Sequence, residues 1–135
     1  MNTVKPVNAY EVALEPWHID TLEVLEGDPQ TRAHTIFESG PGGSGFAPGG
    51  FVVGVYEQEP CRTRYLLESS ETVHLLHGAV LIELNNGDAF ELKPGDVAVL
   101  PKGNVSEWTF REHSRVLYVL SPAPAGDDES GDVAL

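Results

Sequence analysis

The spacing of its turns constrains this sequence most. Between Glu71 and Tyr118, short apolar runs are closed at near-regular intervals by Asn86-Gly87, by Pro94-Gly95-Asp96 and by Pro101-Lys102-Gly103. Nothing in the stretch repeats at 3.6 residues for long enough to make a helix. Short runs bounded by such clusters are the pattern of an antiparallel all-β sandwich or barrel. The spacing predicts strands over residues 51–56, 63–67, 71–77, 79–84, 89–92, 97–100, 107–110 and 115–120. Gly78 bends one long run in two, and Asn86-Gly87 supplies the positive φ angles of a tight hairpin. Gly54, inside a strand, predicts a bulge or a close backbone approach.

Upstream the signal fades. Residues 35–38 read as a short strand, whereas residues 1–34 mix polar and apolar residues without a period. Residues 40–50, GPGGSGFAPGG, are no phosphate cradle, because no Gly-Lys-Ser/Thr follows. They read as a connection or mouth lid with Phe46 as its anchor. The division expected is therefore an arm at 1–34, one domain at 35–121 and a disordered acidic tail at 122–135.

Charge and composition exclude several function classes. The chain has 135 residues and a net charge of −13, with 21 acidic against 8 basic residues. Such a surface repels phosphate backbones and anionic lipids, so neither nucleic acid nor membrane is expected as a partner. No apolar run is long enough to span a bilayer, and the first residues lack the basic start and apolar core of a secretory signal. A single cysteine, Cys61, fits a reducing cytoplasm.

Two motifs in the turn-rich stretch resemble those of the cupin superfamily. Glu71, six residues and Gly78 match the end of the first cupin motif, and Gly95-DVAVL-Pro101-Lys102-Gly103 matches the start of the second. Trp108, Glu112, Arg115 and Tyr118 follow at the spacing of the cupin-3 branch, and Tyr56-Glu57 with Arg62 is similar to its first strand. That branch includes ureidoglycine aminohydrolases and many one-domain proteins. The resemblance covers about residues 50–121. It implies a single-domain jelly-roll barrel and a homodimer, with the leading segment as an edge strand or dimer contact.

The resemblance also implies what is missing. Metal-binding cupins place a His-x-His pair before the motif-one Glu and a last His after the motif-two Gly. Here those positions hold Arg64 and Leu66, or Tyr65 and Leu67, and then Ser106. Only Glu71 survives, and one carboxylate without an imidazole is a poor transition-metal site. His74 and His77 do not repair it, because residues i and i+3 on a regular strand point to opposite faces. No metal and no other cofactor is therefore expected.

What remains is a site for a small polar metabolite. Glu71 is the candidate acid or base, because burial in a small barrel raises a carboxyl pKa. A purely structural Glu71, held by Tyr or Arg, is the alternative. Arg64 is a candidate clamp for an anionic group, with Arg62 on the same side of the strand. Tyr56, Tyr65 and Trp108 are candidate walls, and Ser106 offers a hydroxyl. Cys61 has no histidine placed beside it and is left out. No Gly-x-Ser-x-Gly, HExxH or Walker motif occurs. Two functions stay open: a metal-independent isomerase, epimerase or lyase, and a non-catalytic dimeric binding module. A metal-dependent ureide-type hydrolase needs ligands from elsewhere.

Overall fold

The computed structural model of the chain describes residues 5–122. Eleven strands form among them: β1 (Glu15–Pro16), β2 (Glu23–Gly27), β3 (Arg32–Ser39), β4 (Phe51–Gln58), β5 (Cys61–Leu66), β6 (Ser70–His77), β7 (Val80–Leu84), β8 (Ala89–Leu92), β9 (Val97–Leu100), β10 (Val105–Phe110) and β11 (Ser114–Ser121). They pair antiparallel into a six-stranded sheet, in the order β1-β3-β4-β11-β6-β9, and a five-stranded sheet, β2-β5-β10-β7-β8. The two sheets face one another as an all-β jelly roll. The only helical piece among the described residues is a single 3-10 turn, Pro41–Gly43.

Alternation along each strand decides which side chains face inward. On β10, Ser106, Trp108 and Phe110 are buried while Val105, Glu107 and Thr109 face outward. Leu75, Ile82, Leu100 and Val116 join them in the core with at most 1 % exposure. Burying side chains of this size stabilises by about 1.5–3 kcal/mol each.

The turn residues fix the register. Gly87, Gly95 and Gly103 all take positive φ, at 103°, 97° and 98°. The amides of Gly95 and Gly103 donate to the carbonyls of Leu75 and Leu67, both at 2.8 Å. Gly54 is a close approach, as its Cβ would stand 2.8 Å from the Tyr118 hydroxyl. The tyrosine ring therefore lies against bare backbone.

In the leading segment, β1 and β2 are edge strands of the two sheets and β3 starts at Arg32. Their sequence shows no period because most of their residues stay exposed on both faces. One expectation needs correction, the parity argument for His74 and His77. The register between β11 and β6 shifts, pairing Arg115 with His77 but Val116 with Leu75. Leu76 is thus the extra residue of a bulge, which returns both histidines to the outer face. The expected acidic tail lies, but for Pro122, outside the described residues. No helix among the described residues is long and apolar enough to cross a membrane.

Candidate functional site

Between the sheets lies a cavity of about 310 Å³. Inward-facing positions of five strands build its wall: Tyr56 and Gln58 on β4, Thr63 and Tyr65 on β5, Glu71 on β6, Trp108 and Phe110 on β10, Tyr118 and Leu120 on β11. Residues 17–22, Phe46 and residues 66–69 complete it. Trp17 and Phe46 meet with ring centroids 5.4 Å apart, so the glycine-rich loop is anchored as its sequence suggested.

Glu71 is the buried carboxyl of this wall. It is 3 % exposed, and the Tyr65 hydroxyl donates to its Oε1. Burial raises its carboxyl from the ordinary 4.5 to about 7, the Tyr65 hydrogen bond opposing the rise. The same burial, together with the Glu71 charge, pushes the Tyr56, Tyr65 and Tyr118 phenols above their usual range. All three stay neutral hydroxyls at any physiological pH. Among the described residues, Tyr118 Oη is a buried polar atom with no hydrogen-bond partner.

The sequence-derived candidates divide. Glu71, Tyr56, Tyr65 and Trp108 meet on one cavity. Ser106 is fully buried behind it. Its Oγ accepts the Trp108 indole N–H at 2.9 Å and donates to the Tyr65 carbonyl at 3.0 Å, so it sets the orientation of one wall residue. Arg64 is a correction. It lies on the outer face of β5, near Glu23 at 3.5 Å and Glu107 at 4.0 Å. Thr63 and Tyr65 take the inward positions on either side, which leaves Arg64 no path to the cavity. Arg62 shares the outer face and pairs with Glu107 at 2.6 Å. Cys61 is buried, and desolvation with the nearby Asp28 charge raises its thiol to about 11, which keeps it protonated.

The metal expected of many cupins does not fit this cavity. Glu71 is surrounded by phenols, with Tyr65 already on Oε1. His18, the sole histidine lining the cavity, pairs at 3.1 Å with Asp20 on highly exposed side chains. Asp20 and Glu68 also line the cavity, but among the described residues no three ligand groups gather there within 4.8 Å of one another, so no transition-metal donor set forms.

A second charged cluster escaped the sequence reading. Arg32, Glu57, Arg115 and His77 occupy one cross-strand row on the outer face of the six-stranded sheet. Glu57 binds Arg32 at 2.7 Å and Arg115 at 2.8 Å, and His113 Nε2 lies 3.2 Å away. Burial pushes the Glu57 carboxyl up, but the Arg115 hydrogen bond and the His113, Arg115 and Arg32 charges outweigh it. The net shift is downward. Glu57, His77 and His113 offer ligand atoms within 4.8 Å of one another, yet the two guanidinium groups already neutralise Glu57 and oppose a cation there. Arg115 also donates to the Ala9 and Val12 carbonyls, both at 2.8 Å, which straps the leading segment to the sheet.

Comparison with known proteins agrees with this architecture. Residues 47–118, just over half of the chain, match the family described as the EutQ-like cupin domain. The chain belongs to this cupin family. No curated protein matches the sequence. Among solved structures, this cupin is similar to a protein described as ethanolamine utilization protein Q from Salmonella typhimurium LT2. The two share 23% identity over 70% of this chain and 71% of that one, with a TM-score of 0.56. The polyketide cyclase RemF of Streptomyces resistomycificus is 20% identical over 87% of this chain and 79% of its own, at a TM-score of 0.61. The cupin domain of Schizosaccharomyces pombe Cnp3 is 16% identical over 96% and 82%, at 0.62. At these identities the likeness establishes the fold.

Proposed function

We propose that this cupin binds a compact metabolite in its barrel and performs a metal-independent proton transfer on it: an isomerisation, epimerisation or elimination. Glu71 is the acid and base. The observation that carries this reading is a buried carboxyl on a 310 Å³ cavity, bonded to Tyr65 and titrating near 7. At neutral pH both of its forms are populated, so one group can take a proton at one atom and return it at another. The electron pair left by the proton moves into an adjacent unsaturated group, and a neutral phenol such as Tyr56 donates to the charge that develops there. Return of the proton to another atom gives an isomer, delivery of a proton to the opposite face of the same carbon gives an epimer, and loss of a leaving group gives an elimination.

Deuterium exchange tests this while the substrate is still unidentified. In D2O, NMR of a panel of small metabolites should reveal at least one whose solvent exchange the protein accelerates. Glu71→Gln should slow that exchange by about 10²–10⁴-fold, the usual worth of a positioned acid–base group. Exchange that survives Glu71→Gln would remove Glu71 from the chemistry. A ligand that binds without exchange would replace the enzyme reading by a non-catalytic binding module.

The homodimer expected from the sequence is part of the proposal. The outer face of the six-stranded sheet carries a row running Phe37, Val53, Val119, Thr72 and Val99. Phe37 and Val99 are 46% and 64% exposed. Light scattering should give twice the chain mass of 14.6 kDa, and a monomer at micromolar concentration would count against pairing.

A further inference from the structure

We propose that the ligand of this cavity is a small organic cation, a protonated amine on an apolar or aromatic body, with its N–H groups directed at Glu71 and Tyr118. This rests on the reading of the cavity as a ligand site centred on Glu71. Charge is the first argument. Glu71 lies on the wall, Asp20 and Glu68 lie among the surrounding segments, and no lysine or arginine among the described residues lines the cavity. His18 is tied to Asp20. An anion entering here meets carboxylates and no counter-charge, whereas a cation finds its counter-charge at depth.

The walls make the second argument. Tyr65 stacks near-parallel on Trp108, with centroids 5.9 Å apart and planes at 22°, and Tyr56 meets Tyr118 at 5.5 Å. Aromatic rings around a carboxylate suit an ammonium group, since the negative ring faces and the carboxylate both favour positive charge. An apolar body on the same ligand fills the rest of the ring-lined space.

The third argument is the unmet hydrogen bond. Tyr118 is 4 % exposed and lines the cavity, yet its hydroxyl has no partner among the described residues. A buried polar atom left so is the exception in folded proteins. Tyr65 engages Oε1 of Glu71. An ammonium group brings three donors and no acceptor, which suits a carboxylate and a phenol oxygen together. A carboxylate or phosphate would aim acceptors at Glu71.

Three probes of one shape and different charge decide the matter: phenethylamine, 2-phenylethanol and phenylacetate, titrated calorimetrically into the full chain at about pH 8. Phenethylamine should bind at least about tenfold more tightly than the alcohol, a modest return for one charge-assisted hydrogen bond and a cation–π contact. Phenylacetate should not bind. Glu71→Gln should bring the amine down to the level of the alcohol, and Tyr118→Phe should weaken it less. If the alcohol or phenylacetate equals the amine while Glu71→Gln still weakens binding, the cation is overturned and Glu71 keeps its place. If no probe binds, or Glu71→Gln changes nothing, the cation proposal falls; the exchange test on Glu71 is then judged by its own result.

Discussion

Two carboxyl groups in this barrel are hidden from water and meet opposite fates. Glu71 faces the cavity with phenols for neighbours, and desolvation drives its pKa up to about 7. Glu57 faces the outer side of the six-stranded sheet, where Arg32, Arg115 and His113 close on it and hold its pKa below the ordinary value. Burial opposes ionisation of both, so burial alone does not decide their charge. The presence of guanidinium partners does. Tyr56 and Glu57 are adjacent on β4, and simple alternation sends the first to the cavity and the second to the charged row. One row fastens the fold, and the other keeps a buried carboxyl among phenols.

The largest expected effect breaks the outer row. Arg115 is 6 % exposed and holds Glu57, Ala9 and Val12 at once. Arg115→Ala leaves a buried carboxylate with only part of its counter-charge and frees the leading segment. Breaking a buried pair in this way costs about 3–5 kcal/mol. Urea denaturation at neutral pH should show a loss of that order, and faster proteolysis near Ala9. A loss below about 1 kcal/mol would mean that Arg32 and His113 suffice for Glu57.

Next in size is the contrast between the two carboxyls as pH changes. Glu71 holds its proton more tightly folded than unfolded, because its folded pKa is raised to about 7 from 4.5. Its contribution to stability is therefore full below about pH 4.5 and is lost as pH rises through 7. The loss is on the order of 3 kcal/mol when complete. Glu71→Gln should remove that penalty, stabilising the chain at pH 8 and hardly at all at pH 4. Glu57 has the opposite sign, with stability present above its unfolded pKa and lost as pH falls through its lowered folded value. Glu57→Gln should thus destabilise at pH 7, and the gap to the unmodified chain should narrow in acid. Melting curves of both variants across pH test the pair, and shifts of the same sign would end the comparison.

How much of this is legible in the sequence follows from the range of each interaction. The strands from Phe51 onward were legible because their boundaries are set locally, by Asn86-Gly87, Gly95 and Gly103 at positive φ. Glu71, Tyr56 and Trp108 were legible by motif, and Tyr65 as a candidate aromatic wall. The first two strands were not, because exposed edge strands bury no regular face and leave no period in the sequence, and of β3 only residues 35–38 were read as a strand. The outer row was not, because Arg32, Glu57, His77 and Arg115 meet only through cross-strand register. His77 was hidden further by the bulge at Leu76. Tyr118 was legible as a motif position, but its unmet hydroxyl depends on how closely the ring lies over Gly54. Arg64 alone was a misreading that the sequence could have prevented. It neighbours Tyr65 on a strand, and adjacent residues cannot both face one cavity.

Arg64 accordingly supplies the smallest effect and the sharpest check on which face is which. Its side chain is 45% exposed and its two acidic neighbours lie at 3.5 and 4.0 Å. Exposed pairs of this length contribute about 0.2–1 kcal/mol at most, and salt screens them. Glu107 keeps Arg62 at 2.6 Å when Arg64 is gone, so no acid is stranded. Arg64→Ala should therefore shift stability by no more than about 0.5 kcal/mol. Affinity for any cavity ligand should be unchanged, since Thr63 and Tyr65 on either side still face inward. An anionic ligand that binds the unmodified chain and is lost in Arg64→Ala would mean that β5 presents its other face to the site. The inward assignment of Tyr65, and with it the Tyr65–Glu71 bond, would then have to be given up.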